Sequence, residues 1–263
     1  MTEALSTRLA TAPRPLAIAH RGGALLAGEN SAEAFRAARA AGAELVETDV
    51  RLSADGVLVC LHDADLSRIA GDPRPVAELD LATLRRLVPT LMTLDEAIAA
   101  SAPLAILLDV KLQDAVALRG ILARIDAADA SARVLLGLRA LDLVVAARHV
   151  APDIAILALV RDPDSAAQAR RAGAGWFRLW EGAATPRRIE AARAEGLHVV
   201  VMVGQPRSVA LPGEHPPHPV GKVNAAGLAT LLDLAPDAVM LDDPRLLVAA
   251  RQSRRTVTPL SSS

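Results

Sequence analysis

Eight short apolar runs recur along this 263-residue chain, each followed by a stretch of helical character. The runs lie at 16–20, 45–50, 104–109, 133–138, 154–160, 176–180, 199–203 and 238–241. Helical segments are expected at 113–126, 141–149, 164–172, 185–195, 224–234 and 245–252, and Thr93-Leu94-Asp95-Glu96 opens a further capped one. Asp162-Pro163 and Thr185-Pro186 place proline where a first helical residue belongs. Near-continuous apolar strands alternating with helices imply a parallel sheet covered on both faces. Eight such units in a chain of this length predict a TIM (β/α)8 barrel. A doubly wound open sheet is the alternative, with Gly22-Gly23 as only a weak trace of a dinucleotide fingerprint.

One apolar run does not fit this alternation. Residues 57–62 follow the second strand through Ser53-Ala54-Asp55-Gly56, and Asp-Gly between β-branched runs signals a hairpin. The turn is too tight for a parallel crossover, so residues 57–62 form the return arm of a β-hairpin at the barrel mouth. Residues two apart on a strand share a face, so Glu47 and Asp49 present their carboxylates together, and His62 folds back opposite Asp49. Such a cluster suits a divalent cation beside a general acid or base, or else is the solvated polar face of an edge hairpin.

The barrel expectation gives the other polar residues a common place. Active sites of such barrels lie at the carboxyl ends of the strands. Strand one ends in His20-Arg21, strand three in Asp109-Val110-Lys111, and the last strand in Asp242-Asp243. Glu47, Asp49 and Asp109 can hold one hard cation, Mg²⁺ or Ca²⁺. Arg21 and Lys111 supply positive charge for an anionic oxygen, and His20 and His62 titrate near neutrality as acid and base. Only Lys111 and Lys222 among 29 basic residues are lysine, which suggests that position 111 favours a compact point charge. A metal, two cations and two histidines around an anion describe phosphate ester hydrolysis better than sugar or peptide chemistry.

Composition removes other classes. A formal net charge of −1 argues against a nucleic-acid footprint or electrostatic membrane anchor. The single cysteine, Cys60, excludes an intramolecular disulfide, and a reducing, cytoplasmic location is the expectation. No signal peptide is read at the amino terminus, and no apolar run reaches membrane-spanning length. The expected organisation is one catalytic barrel domain over 1–263, ordered from about 14 to 252, with a small insertion at 63–92 and a flexible tail at 253–263.

His20-Arg21-Gly22, Glu29-Asn30-Ser31, Glu47-Thr48-Asp49-Val50, Asp55-Gly56, His62-Asp63, Leu66 with Arg68, Pro89-Thr90, Asp109-Val110-Lys111 and Asp242-Asp243-Pro244 stand in a telling order. The chain resembles the glycerophosphodiester phosphodiesterases in that order of motifs, from about residue 16 to 250. The resemblance implies a barrel with a small insertion after its second strand. It also implies metal-dependent hydrolysis of small-molecule glycerophosphodiesters to sn-glycerol 3-phosphate and an alcohol. By match, Glu47, Asp49 and Asp109 are metal ligands, His20 and His62 the acid–base pair, and Arg21 and Lys111 phosphate contacts. The family usually carries Glu where Asp109 stands and Pro at Gly28. Its late Trp-Thr-Val-Asn is here Met202-Val203-Gly204-Gln205. The alternatives are a related phosphodiesterase acting on lysophospholipid or other phosphodiesters, or a non-catalytic phosphate-binding barrel.

Plainer roles are expected elsewhere. Glu29 and Asn30 suit a helix start, by charge and by capping. Cys60 is expected in the core, and His149 and His198 as caps or core histidines. His215 and His218 belong to a stiff proline-rich loop, 213–219, placed after strand seven as a candidate lid, with Lys222 just beyond it. Trp176 and Trp180 share one strand face, as barrel core or pocket wall.

Overall fold

The computed structural model describes Leu5, residues 9–204 and residues 219–257. Its strands are β1 (Leu16–Ala19), β2 (Leu45–Leu52), β3 (Leu58–Cys60), β4 (Asp65–Leu66), β5 (Asp72–Pro75), β6 (Ala105–Val110), β7 (Val134–Leu138), β8 (Ala155–Ala158), β9 (Trp176–Trp180), β10 (His198–Met202) and β11 (Ala238–Leu241). Among the described residues, eight of these run parallel in the cyclic order β1-β2-β6-β7-β8-β9-β10-β11. The ring closes through Ile18 against Leu45 on one side of β1 and Leu16 against Ala238 on the other. The expected TIM barrel is therefore the fold.

Residue parity divides the barrel into two layers, because successive strand side chains point to opposite faces. Leu16, Ile18, Leu45, Leu107, Trp176 and Val200 fill the interior. Their immediate neighbours Ala17, Val46, Ile106, Leu108, Phe177 and Val199 face outward against the helices. Phe35, Ile98 and Ile121, from helices Ala32–Ala40, Leu94–Ser101 and Ala115–Ala127, join that outer layer. A one-residue register slip would exchange both layers, so the apolar pattern fixes the register tightly.

The hairpin forms as expected, with Val50 opposite Cys60 and Leu52 opposite Leu58 in antiparallel pairing. The insertion at 63–92 is more ordered than its composition suggests. The β4–β5 pair and helices Ser67–Ala70 and Leu81–Leu87 enclose a separate small core of Leu66, Val76, Leu79 and Leu84. That core packs on Val59 and Leu61 of the hairpin, so the insertion braces the arm that carries His62.

Both ends extend further than expected. Leu5 and Leu9 are buried in the interior cluster, before the predicted start near residue 14. The last helix runs Pro244–Val257, past 252, and Arg251 within it donates to Glu44 at 3.0 and 3.1 Å. Residues 258–263 of the predicted tail lie outside the described residues. No helix among the described residues is long and apolar enough to cross a membrane.

Candidate active site

Extending the interior parity past each strand end generates the site. Inward positions 45 and 107 continue to Glu47 and Asp49 on β2, and to Asp109 and Lys111 on and after β6. Positions 18 and 240 continue to His20 and Asp242. The strands are in register, with Asp49 directly beside Asp109. Oxygens of Glu47, Asp49 and Asp109 lie within 4.8 Å of one another. The shorter Asp109 side chain thus converges with the other two. Two oxygens on one ion at about 2.4 Å can be no more than about 4.8 Å apart, so the trio fits one hard cation.

Local structure fixes each carboxylate. Arg21 has φ +51° and Gly22 φ +78°, and this turn aims the Arg21 backbone N–H at Glu47 Oε2, 2.6 Å away. Asn30 donates from Nδ2 to Asp49 Oδ2 at 3.1 Å, and Thr48 fixes its amide by donating to Oδ1 at 2.7 Å. The expected cap assignment is corrected here. Ser31 is the helix N-cap, accepting from Ala34 N–H at 3.1 Å, and Asn30 is released to position Asp49. Lys111 Nζ sits between Asp49 (2.7 Å) and Asp109 (2.6 Å), while Arg139 Nε donates to Asp109 Oδ1 at 2.8 Å.

The three carboxylates titrate differently. Burial, then the neighbouring Asp49 charge, pushes Glu47 up to about 8. Burial would also raise Asp49 and Asp109, but Lys111 overrides it for both, with Arg139 assisting at Asp109, and each stays below the usual carboxylate range. Crowding one more negative charge than the local cations balance is what a divalent ion relieves.

Both histidines are backed by carboxylates. Nδ1 of His20 lies 2.7 Å from Asp242 Oδ1, and Nδ1 of His62 lies 2.7 Å from Asp63 Oδ1. An ionised carboxylate only accepts, so Nδ1 carries the proton and Nε2 is left for chemistry. Burial lowers His20, but the Asp242 bond and the Glu47 charge outweigh it, and its pKa is raised. For His62 burial wins over Asp49 and Asp63, and its pKa is lowered. Asp63 accepts from Arg68 Nε at 2.6 Å, and Arg68 and Arg21 both bind Glu29, at 2.5 and 3.1 Å for the closest pairs. Glu29 therefore ties the first loop to the insertion rather than serving the helix end. Arg21 Nε is buried with no hydrogen-bond partner among the described residues.

His20, Glu47, His62, Asp109 and Lys111 open onto one cavity, lined also by Arg139, Arg178, Trp180 and Met202, while Arg21 and Asp49 lie behind its wall. Arg139, Arg178, and the pairings of Asp242 and Asp63 with the histidines were not assigned from the sequence. Inward parity was the available signal for Arg139, Arg178 and Asp242. Trp180 lines the cavity while Trp176 is core, its ring 4.5 Å from that of His198 and tilted by 36°. Cys60 is buried, and burial pushes its thiol up to about 12, as suits a core residue. Both His149 and Lys222 are exposed, and neither lines the cavity. Gln205, His215 and His218 lie outside the described residues.

Residues 20–246 match the sequence profile of the Glycerophosphoryl diester phosphodiesterase family. The chain belongs to that family. Among curated relatives, a probable glycerophosphodiester phosphodiesterase 1 from Mycobacterium tuberculosis is 42% identical over 76 residues, 29% of this chain and 28% of its own length. The bovine glycerophosphodiester phosphodiesterase 1 is 40% identical over 76 residues, 29% of this chain and 23% of its own. The matched stretch thus spans less than a third of these family members. Solved structures agree in fold along nearly their whole length. A glycerophosphodiester phosphodiesterase structure from Galdieria sulphuraria aligns with TM-score 0.77 at 18% identity, covering 92% of this chain and 99% of that one. A phosphodiesterase from Oleispira antarctica, solved with its product sn-glycerol 3-phosphate, aligns with TM-score 0.75 at 23% identity over 90% and 97%.

A backbone position tests the link between fold and site in this family member. Gly221 has φ +79°, and a Cβ there would lie 2.1 Å from Asp242 Oδ1, the oxygen that holds His20. Gly221→Ala is expected to lower stability by about 1–3 kcal/mol through the strained φ and the clash. It should also cut turnover by displacing Asp242. Thermal melts and kcat check both, and an unchanged pair would show that Asp242 does not depend on this turn.

Proposed function

We propose that this chain hydrolyses glycerophosphodiesters to sn-glycerol 3-phosphate and an alcohol. The convergence of Glu47, Asp49 and Asp109, flanked by two carboxylate-backed histidines, carries the reading. Those three residues hold one divalent cation, Mg²⁺ or Ca²⁺. When bound, it supplies charge neutralisation to the phosphate oxygens. Lys111 and Arg21 add fixed positive charge for the same oxygens. Neutral His62 takes the proton from the attacking oxygen, either water or the substrate's neighbouring glycerol hydroxyl. Protonated His20 delivers a proton to the leaving alcohol oxygen as its P–O bond breaks. With the neighbouring hydroxyl as nucleophile the first product is a cyclic phosphate, which water then opens with the two histidines exchanging roles.

The direct assay is release of glycerol 3-phosphate from glycerophosphoethanolamine by purified protein with Mg²⁺ or Ca²⁺. A kcat on the order of 1–100 s⁻¹ is expected. Absence of release there, and of cleavage of a generic phosphodiester, would overturn the reading. Faster turnover of lysophosphatidylcholine would move the substrate to the lysophospholipids.

A further inference from the structure

Three cations line the cavity, and two are matched. Lys111 meets Asp49 and Asp109, and Arg139 meets Asp109. Arg178 is not matched. Its side chain faces the barrel interior between Trp176 and Trp180, and the residue is 7% exposed. Nη2 donates to the carbonyls of Leu159 (3.1 Å) and Val160 (3.3 Å). Among the described residues, its Nε and Nη1 make no hydrogen bond and no carboxylate is within ion-pair reach.

A buried guanidinium without an ion-pair partner is costly: burial and the Arg139 charge drag its pKa down to about 10, against the opposing pull of Asp109. Neutral packing would be cheaper at this position. Two carbonyls and the Trp180 ring hold the guanidinium in place, and its charge stays complementary to an anion entering the cavity. Topology says from where. In the eight-strand ring β9 stands four strands from β2, diametrically across the mouth from Glu47 and Asp49. Arg178 lines the same cavity as Glu47 and Asp109, so one arm of a phosphodiester seated at the carboxylates can reach it. The glycerol arm carries no anion, so the complementary group belongs to the alcohol. The Trp180 ring is already covered, with the guanidinium carbon 4.6 Å from its centroid. That face cannot also take a quaternary ammonium.

We propose that Arg178 is a specificity residue, binding a carboxylate or phosphate on the leaving alcohol and thereby favouring anionic over cationic leaving groups. This rests on the hydrolytic reading above. The test uses three diesters that share the glycerol phosphate half and differ in the leaving alcohol: glycolate, ethylene glycol and choline. Wild-type kcat/KM is expected to be about 10- to 100-fold higher for the glycolate ester than for the ethylene glycol ester, the range of one charge-assisted contact, with choline lowest. In Arg178→Gln the glycolate-to-ethylene glycol ratio should fall to near one, and Arg178→Lys should keep part of it. A wild-type ratio near one, or a ratio unchanged by Arg178→Gln, overturns the proposal. Equal losses on all three esters also overturn it and assign Arg178 to the glycerol half. Should Arg178→Gln not fold, the wild-type and Arg178→Lys ratios decide. Release of glycerol 3-phosphate from none of the three would instead defeat the hydrolytic reading itself.

Discussion

Replacing His62 with glutamine should lower kcat by about 10²- to 10⁴-fold, and the same substitution at His20 should do so by a similar factor. Glutamine keeps a donor near Asp63 or Asp242 but cannot exchange a proton near neutral pH. The two losses differ in their pH signature. His62 is held below its ordinary value because burial outweighs Asp49 and Asp63, so it is neutral at pH 7. Its basic form is lost as pH falls through that lowered pKa, which draws an acidic limb in kcat/KM below about 6.5. His20 is raised because Asp242 and Glu47 outweigh burial, so its protonated form persists to higher pH than that of an ordinary imidazole. That form is lost as pH rises through the raised pKa, which draws an alkaline limb above about 6.5. His62→Gln should flatten the acidic limb of the residual rate, and His20→Gln the alkaline one. Either variant retaining kcat within threefold of wild type would remove that histidine from the reaction.

What could be read in advance divides along one physical line. Strand parity is local, so the eight strands, the hairpin and the convergence of Glu47, Asp49 and Asp109 were all legible. The in-register neighbours Asp49 and Asp109 then close the distance that the shorter side chain at 109 leaves open. The pairing of His20 with Asp242 joins residues 222 positions apart and exists only because the barrel closes between β1 and β11. No local pattern announces it. Asn30 and Ser31 are both good capping residues, and only the direction of the loop decides that Ser31 caps while Asn30 turns to Asp49. Arg178 was hidden for the opposite reason, as one charge within an apolar run whose inward parity gave it away only once the interior was known. The helix at 244–257 outran its expected end because Arg251, reaching back to Glu44, anchors it to the barrel floor.

Glu47→Gln should divide activity and stability in opposite directions. Removing one of three carboxylates from the cation site is expected to cost about 10³-fold in kcat, several kcal/mol of charge stabilisation. Chelation of the wild-type protein should abolish turnover, with Mg²⁺ or Ca²⁺ restoring it, and calorimetry should show the variant's cation affinity reduced. Cation-free protein should respond otherwise. Glu47 is fully buried and accepts the Arg21 N–H, a bond glutamine Oε1 can still accept. Its folded pKa is about 8 against an ordinary 4.5, pushed up by burial and Asp49. Between those values the folded state holds a proton that the unfolded chain has released. Stability attributable to this residue therefore falls as pH rises from about 4.5 towards 8, by a few kcal/mol. Glutamine carries no such penalty, so without a cation Glu47→Gln should melt higher than wild type at pH 8 and nearly level with it at pH 5. Added cation should narrow the gap at pH 8, because only the intact trio gains about 2.7 kcal/mol at a hundredfold excess over Kd. Melting curves at both pH values, with and without cation, measure all four states. A cation-free variant less stable than wild type at pH 8 would mean that Glu47 is held by favourable contacts rather than strained by like charge. That outcome would remove the reason for placing a cation there.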